Sequence, residues 1–68
     1  MRAPKILKVL YKFGFRERNQ TGSHLVLKSS TGHLVTIPVH PGRDVPKGTL
    51  RRIIKDAGLT EAQFLKLL

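Results

Sequence analysis

The spacing of apolar residues changes twice along this chain, from helical to alternating and back to helical. Near the start, Ile6, Leu10 and Phe13 recur at helical intervals. Pro4 suits the first position of that helix, and Gly14 suits the position just past its end. Because helices repeat every 3.6 residues and strands every two, the two patterns specify different backbones. The chain is therefore predicted to combine helices with a sheet.

The alternating region divides into three short predicted strands. They span 15–19, 23–29 and 34–39, and turn signals stand between them at Gln20-Thr21-Gly22 and at Thr31-Gly32. Such short connections join antiparallel neighbours. We expect a three-stranded antiparallel sheet.

Two helical patterns follow the strands. Leu50, Ile53, Ile54 and Ala57 form one apolar face of a helix that starts at Pro46 or Gly48 and is closed by Gly58. Thr60-Glu61-Ala62-Gln63 has the form of a capping box and predicts a short C-terminal helix.

The predicted fold class is α+β, with residues 1–68 forming a single domain. Helices are expected to cover one face of the sheet and to leave the other face open. The α-β-β-β-α order is that of the double-stranded-RNA-binding-domain fold, and a fold alone does not supply a function.

Charge indicates the class of partner. The chain has 13 basic and 4 acidic side chains, for a net charge of +9. Many cations favour nucleic acid, because neutralising phosphates releases counterions. An anionic membrane surface or an acidic protein partner is the alternative.

Several kinds of chemistry are not expected. There is no Cys, so thiolate catalysis, disulfides and Cys-ligated zinc are excluded. No two His have the spacing of a zinc-binding helix, and we predict no metal and no cofactor. No apolar run is long enough to cross a bilayer, and a cytoplasmic location is expected.

His24 is the candidate catalytic residue. If Leu25 and Leu27 point into the core, alternation places His24 on the open sheet face. A neutral imidazole there could remove the proton of a ribose 2′-hydroxyl. Gly22 would let a ligand approach the backbone, and Ser23 offers a hydroxyl and an amide. A surface histidine without a function fits the same pattern, as it does for His33 and His40.

Lysines and arginines on the predicted elements are candidates for phosphate contact. Lys28 lies on the second strand, and Arg51, Arg52 and Lys55 form the polar face of the second helix. A solvated helix face is the simpler interpretation of the helical group.

Four segments together carry a resemblance to a known family, and they cover nearly the whole chain. They are Gly22-Ser23-His24, Val35-Thr36-Ile37-Pro38-Val39-His40, Lys47-Gly48-Thr49-Leu50-Arg51 and Ile54-Lys55-Asp56-Ala57-Gly58-Leu59. This set closely resembles the HicA toxins of toxin–antitoxin pairs. The resemblance implies a metal-independent mRNA interferase with the double-stranded-RNA-binding-domain fold, neutralised by a HicB antitoxin.

The resemblance also implies roles for individual residues. It makes His24 the catalytic histidine, with Gly22 and Ser23 shaping its site. Many HicA toxins have a second His directly after this one, where the present chain has Leu25. With the basic residues added, the predicted RNA contacts are Gly22, Ser23, Lys28, Arg51 and Lys55.

The leading hypothesis is therefore an endoribonuclease toxin with mRNA as substrate and HicB as partner, which could also form homo-oligomers or larger toxin–antitoxin complexes. Two alternatives remain. One is a non-catalytic double-stranded RNA-binding module, and the other is a ribosome-associated structural protein.

Overall fold

The computed structural model describes all 68 residues. Its elements run in the order α-β-β-β-α-α. They are α1 (Ala3–Lys12), β1 (Arg16–Thr21), β2 (His24–Lys28), β3 (Leu34–Pro38), α2 (Lys47–Asp56) and α3 (Glu61–Lys66). The strands form one antiparallel sheet in the order β1-β2-β3. The predicted α+β class and the double-stranded-RNA-binding-domain-like order are confirmed.

The core lies between the helices and one face of β2 and β3. Alternate residues of these strands point into it and are buried: Leu25, Leu27, Val35 and Ile37. The helices contribute the apolar positions that recur at helical spacing, among them Ile6, Leu10, Ile53 and Ile54. The two periodicities of the sequence therefore meet in one cluster.

The first strand departs furthest from its predicted bounds, while β2 is one residue shorter than predicted at each end and β3 is one residue shorter at its C-terminal end. It runs from Arg16 to Thr21 rather than over 15–19, and the turn after it is Gly22-Ser23. Phe15 is buried directly before the strand. All six residues of β1 are exposed, because the helices cover β2 and β3. A shift of register between Glu17 and Asn19 inserts one extra residue as a β-bulge.

The segment between β3 and α2 is fastened to the N-terminus. The Val45 amide donates to the Met1 carbonyl at 2.8 Å, and the Val45 side chain is buried. The terminal amine of Met1 lies 3.7 Å from the Asp44 carboxylate. These contacts hold the start of α2 beside α1.

The C-terminal helix docks on its own domain. The capping box is confirmed: the Gln63 amide donates to Thr60 Oγ1 at 3.1 Å, and the Thr60 amide donates to Gln63 Oε1 at 2.9 Å. Phe64 is fully buried in the common core. Lys12 Nζ adds a hydrogen bond to the Leu67 carbonyl at 3.1 Å.

Candidate nucleic-acid interface

The face of the sheet turned away from the helices is open to solvent. His24, Val26 and Lys28 alternate along β2 on this face, while Leu25 and Leu27 between them are buried. Residues paired across antiparallel strands share a face. The register therefore adds to the open face the partners Arg16, Asn19, Thr21, Leu34, Thr36 and Pro38.

His24 stands at one end of this face with its ring free. It opens β2, where it pairs with Thr21 of β1 and Pro38 of β3. Its side chain is exposed, and its ring makes no hydrogen bond and no ion pair within the chain. Strands on both sides fix the backbone at His24, so the imidazole is presented from a rigid position with both nitrogens available to a ligand.

The hairpin before His24 is built on Gly22. Its φ of +57° is the left-handed value that side chains disfavour, and no other central residue of the turn has a positive φ. This pattern matches the hairpin turn that takes glycine first. An added Cβ at Gly22 would meet no atom of the chain, so glycine is needed there for its backbone angle. The Ser23 carbonyl accepts from the Val39 amide at 2.6 Å and ties the turn to the end of β3.

Of the other two histidines, only His33 has a ring that is bonded within the chain. The Nδ1 of His33 is bonded to Thr31 Oγ1 at 2.8 Å, and its backbone amide donates to Ser29 Oγ at 3.1 Å. His33 is thus part of the structured β2–β3 connection. His40 is exposed and lies two residues beyond Pro38, at the end of the sheet that His24 occupies.

The predicted contact residues fall into two groups. Gly22, Ser23, His24 and Lys28 follow one another along the same hairpin, and His24 and Lys28 share the open face. Arg51 and Lys55 are on the outer side of α2, which packs against the covered face through Ile53 and Ile54. The structure therefore does not bring these two cations to His24.

Ion pairs also distinguish the basic residues of α2. Arg51 Nε lies 3.3 Å from Glu61 Oε1, which links α2 to α3. Arg52 pairs with Asp56 at 3.1 Å and also donates to the Thr36 carbonyl at 3.4 Å, at the free edge of β3. Lys55 has no such partner. Of this group, Arg52 comes nearest to the sheet.

One cation of the open face, Arg16, could not be identified as a candidate from the sequence pattern. Arg16 opens β1 and pairs with Lys28. Nothing in the spacing of residues predicts this pairing, because β1 has no apolar alternation. Only the strand register, set by the hairpin turn and the bulge, places the two side chains together.

Neither a metal-binding cluster nor a membrane span is found. No group of three or more His, Cys, Asp or Glu side chains is arranged to hold a metal ion. No helix combines the length and the apolar character that crossing a bilayer requires.

The fold and the open face define a small cationic α+β domain of the double-stranded-RNA-binding-domain type, with two unpartnered histidines, His24 and His40, at one end of its sheet. Compared with models of known families, residues 3–59 match the family described as the HicA toxin of bacterial toxin–antitoxin. The chain belongs to the HicA toxin family. No curated protein matches it. The matched range ends before α3.

Proposed function

We propose that this chain is a metal-independent endoribonuclease that cleaves mRNA, with His24 as its catalytic residue. The observation that carries the proposal is the placement of His24. Its ring is exposed, has no partner in the chain and projects from a cationic sheet face. Membership of a toxin family supports the proposal that this face damages a cellular target, here mRNA.

The proposed reaction is an internal transfer. The ribose 2′-oxygen attacks the adjacent phosphorus and forms a new P–O bond, while the bond from phosphorus to the 5′-oxygen of the next nucleotide breaks. The products are a 2′,3′-cyclic phosphate and a 5′-hydroxyl. His24 takes the 2′-hydroxyl proton or protonates the leaving 5′-oxygen, and water exchanges the other proton.

Positive charge near His24 would stabilise the transition state, in which negative charge builds up on the phosphate oxygens. Lys28, the predicted contact residue that shares the open face with His24, lies four residues along β2, so it would contact the RNA chain beside the reacting phosphate. Gly22 and Ser23 shape the approach to the ring. Arg51 and Lys55, on the outer side of α2, would contact only RNA that passes around the edge of β3.

The substrate itself provides a test of this chemistry. An RNA with a single 2′-deoxynucleotide at the preferred cleavage position has lost the attacking oxygen. We expect it to resist cleavage at that position alone, and we expect the cut RNA to end in a 2′,3′-cyclic phosphate. A 3′-hydroxyl end on the cut RNA, or undiminished cleavage at the deoxy position, would refute internal transfer.

We also propose a HicB antitoxin as the partner and the cytoplasm as the place of action. The open face presents His24 together with the half-buried Val26 and the exposed Leu34. A protein that covers this face would hide the imidazole and exclude RNA at once. Acidic side chains on it would speed the encounter with a +9 domain.

A double-stranded RNA-binding module without catalysis is the second candidate. The observation in its favour is the position of Lys55 and Arg51, on an exposed helix face away from His24. It predicts tight, salt-sensitive binding of duplex RNA that is weakened by Lys55→Gln and unchanged by His24→Ala. Preference for single-stranded RNA, with His24-dependent cleavage, would exclude it.

A further inference from the structure

Two cations are cross-strand neighbours on the open face, at the end of the sheet farthest from His24. Arg16 and Lys28 are direct cross-strand partners, so their Cβ atoms are about 5 Å apart. Like charges in this position destabilise a sheet. Both side chains line one shallow depression, together with Arg18, Ser29 and Ser30. The paired positive charges lower the stability of the sheet, so the stability of the fold does not explain why they are there.

No carboxylate forms an ion pair with either of these cations. Asp44, Asp56 and Glu61 are engaged with the N-terminal residues and with Arg51 and Arg52 of α2, and Arg16 and Lys28 form no ion pair. The remaining acid, Glu17, lines the depression and accepts a hydrogen bond from the Tyr11 hydroxyl at 3.3 Å. Burial, and then the negative charge of Glu17, raise the pKa of Tyr11, which keeps its phenol a neutral donor to that carboxylate.

Arg16 is held in position before any ligand arrives. Its Nη1 donates to the Phe15 carbonyl at 2.7 Å and to the Tyr11 carbonyl at 3.3 Å. The Nη2 and Nε groups make no bond within the chain and are available to an anion. A guanidinium fixed by one nitrogen loses less conformational entropy when the others bind phosphate.

The separation from His24 suggests what this pair binds. His24 and Lys28 are four residues apart on β2, which corresponds to about 13 Å along the strand. That span is longer than the distance between neighbouring phosphates of one strand. A polyanion with regularly spaced phosphates can therefore occupy both ends of the face at the same time.

We propose that Arg16 and Lys28 form a second phosphate-binding subsite, which holds a flanking phosphate of single-stranded RNA while His24 addresses the bond to be cut. This inference rests on the proposed nuclease function. The subsite sets a minimum length for tight binding, because short RNAs cannot reach from His24 to Lys28. Arg18, placed by the bulge, lies at the rim of the same subsite.

The test measures binding without cleavage. A ladder of fluorescent single-stranded RNAs of increasing length, carrying 2′-O-methyl groups that block internal transfer, is titrated into the wild-type protein, and Kd is determined at several salt concentrations. We expect affinity to rise stepwise once the RNA spans the open face. The added substitutions Arg16→Gln and Lys28→Gln should remove the step, weaken binding of long RNA about 25-fold near 0.1 M salt and lower the salt slope by about 1.4.

Controls separate the subsite from net charge and from misfolding. Lys5→Gln with Lys8→Gln removes two exposed charges from α1, on the other side of the molecule, and should keep the step. Lys28→Gln alone spares the Arg16 hydrogen bonds and should lower the slope by about 0.7. Equal weakening by both double variants, or a ladder without a step, would overturn the subsite.

Two further outcomes separate failure of the subsite proposal from failure of the nuclease proposal. Unchanged RNA binding with impaired antitoxin binding by the Arg16/Lys28 variant would overturn the proposal and assign the pair to a protein interface. Failure of the wild-type protein to cut any unmodified RNA, with the step intact for the 2′-O-methyl ladder, would refute the nuclease function and support the subsite as an RNA-binding site.

Discussion

At the scale of single residues, the three histidines show why residue type alone does not define a site. His24, His33 and His40 are all exposed, yet only His33 is bonded to other side chains through its ring. Alternation along β2 correctly predicts that His24 lies on the open face, because Leu25 and Leu27 are buried. Its catalytic role stays a prediction, since exposure shows only that the ring can reach a ligand.

His33 should prove structural. His33→Ala removes the bond to Thr31 Oγ1 and the ring that lies over Gly58. We expect the free energy of unfolding to fall by about 0.5–1.5 kcal/mol, measured by urea denaturation. RNA cleavage by the folded variant should equal that of the wild type. A folded His33→Ala protein without activity would mean that His33 acts in the chemistry.

At the scale of elements, the sequence predicts those that bury an apolar face. The helices and the two apolar strands, β2 and β3, were placed correctly because Ile53, Ile54, Leu25 and Leu27 repeat with the period of their element. The bounds of β1 could not be derived in this way, because all of its residues are exposed. Its register depends on the turn at Gly22 and on a bulge, and neither leaves a periodic signal.

The same limit applies to the candidate site. The positions of Gly22, Ser23 and His24 at the end of a hairpin could be predicted from local pattern. The pairing of Arg16 with Lys28 could not, because it depends on how two strands align. The separation of Arg51 and Lys55 from His24 could not be predicted either, because it depends on which face of the sheet α2 covers.

Two glycines of the second helical region should respond oppositely to alanine. Gly58 has a φ of +74°, and an added Cβ would lie 2.6 Å from His33 Nε2. Gly58→Ala should therefore cost about 1–3 kcal/mol of stability. Gly48 has no atom near such a Cβ, and Gly48→Ala should stabilise α2 by up to about 1 kcal/mol. Thermal unfolding of the two variants tests the pair, and equal shifts of Tm would contradict the assigned backbone.

The cost of Gly58→Ala has two parts: the strain of the backbone angle and the steric clash of the added Cβ with the His33 ring. In the His33→Ala background, the steric part of the Gly58→Ala cost should disappear and the backbone part should remain. A double-mutant cycle measures this difference. Strict additivity would show that the His33 ring moves away without cost.

At the scale of the whole molecule, α3 is integral to the domain although it lies outside the residues that match the family. Its Phe64 is fully buried against the common core. In a domain of this size the total stability is of the order of 3–10 kcal/mol. The burial of one aromatic ring is therefore a large part of what keeps the chain folded.

Truncating that ring should destabilise the entire domain. We expect Phe64→Ala to lower the free energy of unfolding by about 3–5 kcal/mol in a denaturant titration. Leu65→Ala is the control, because Leu65 is 54% exposed on the same helix and should change stability little. Similar small effects of both substitutions would mean that α3 detaches from the domain in solution.

The open face should also be where the antitoxin binds. In an NMR titration with the proposed HicB antitoxin, we expect the His24 ring signals to shift, because the proposed complex covers that face. The His33 ring signals, on the β2–β3 connection at the other end of β2, serve as the comparison. An inhibited complex in which His24 signals do not move would show that inhibition does not proceed by covering His24.

The proposed nuclease function depends on His24 cutting RNA without a metal ion. The most direct measurement incubates single-stranded RNA with excess EDTA and either the wild-type chain or His24→Ala, with circular dichroism confirming that both are folded. We expect cleavage by the wild type and none by His24→Ala. Equal cleavage by the two folded proteins would contradict the proposed function.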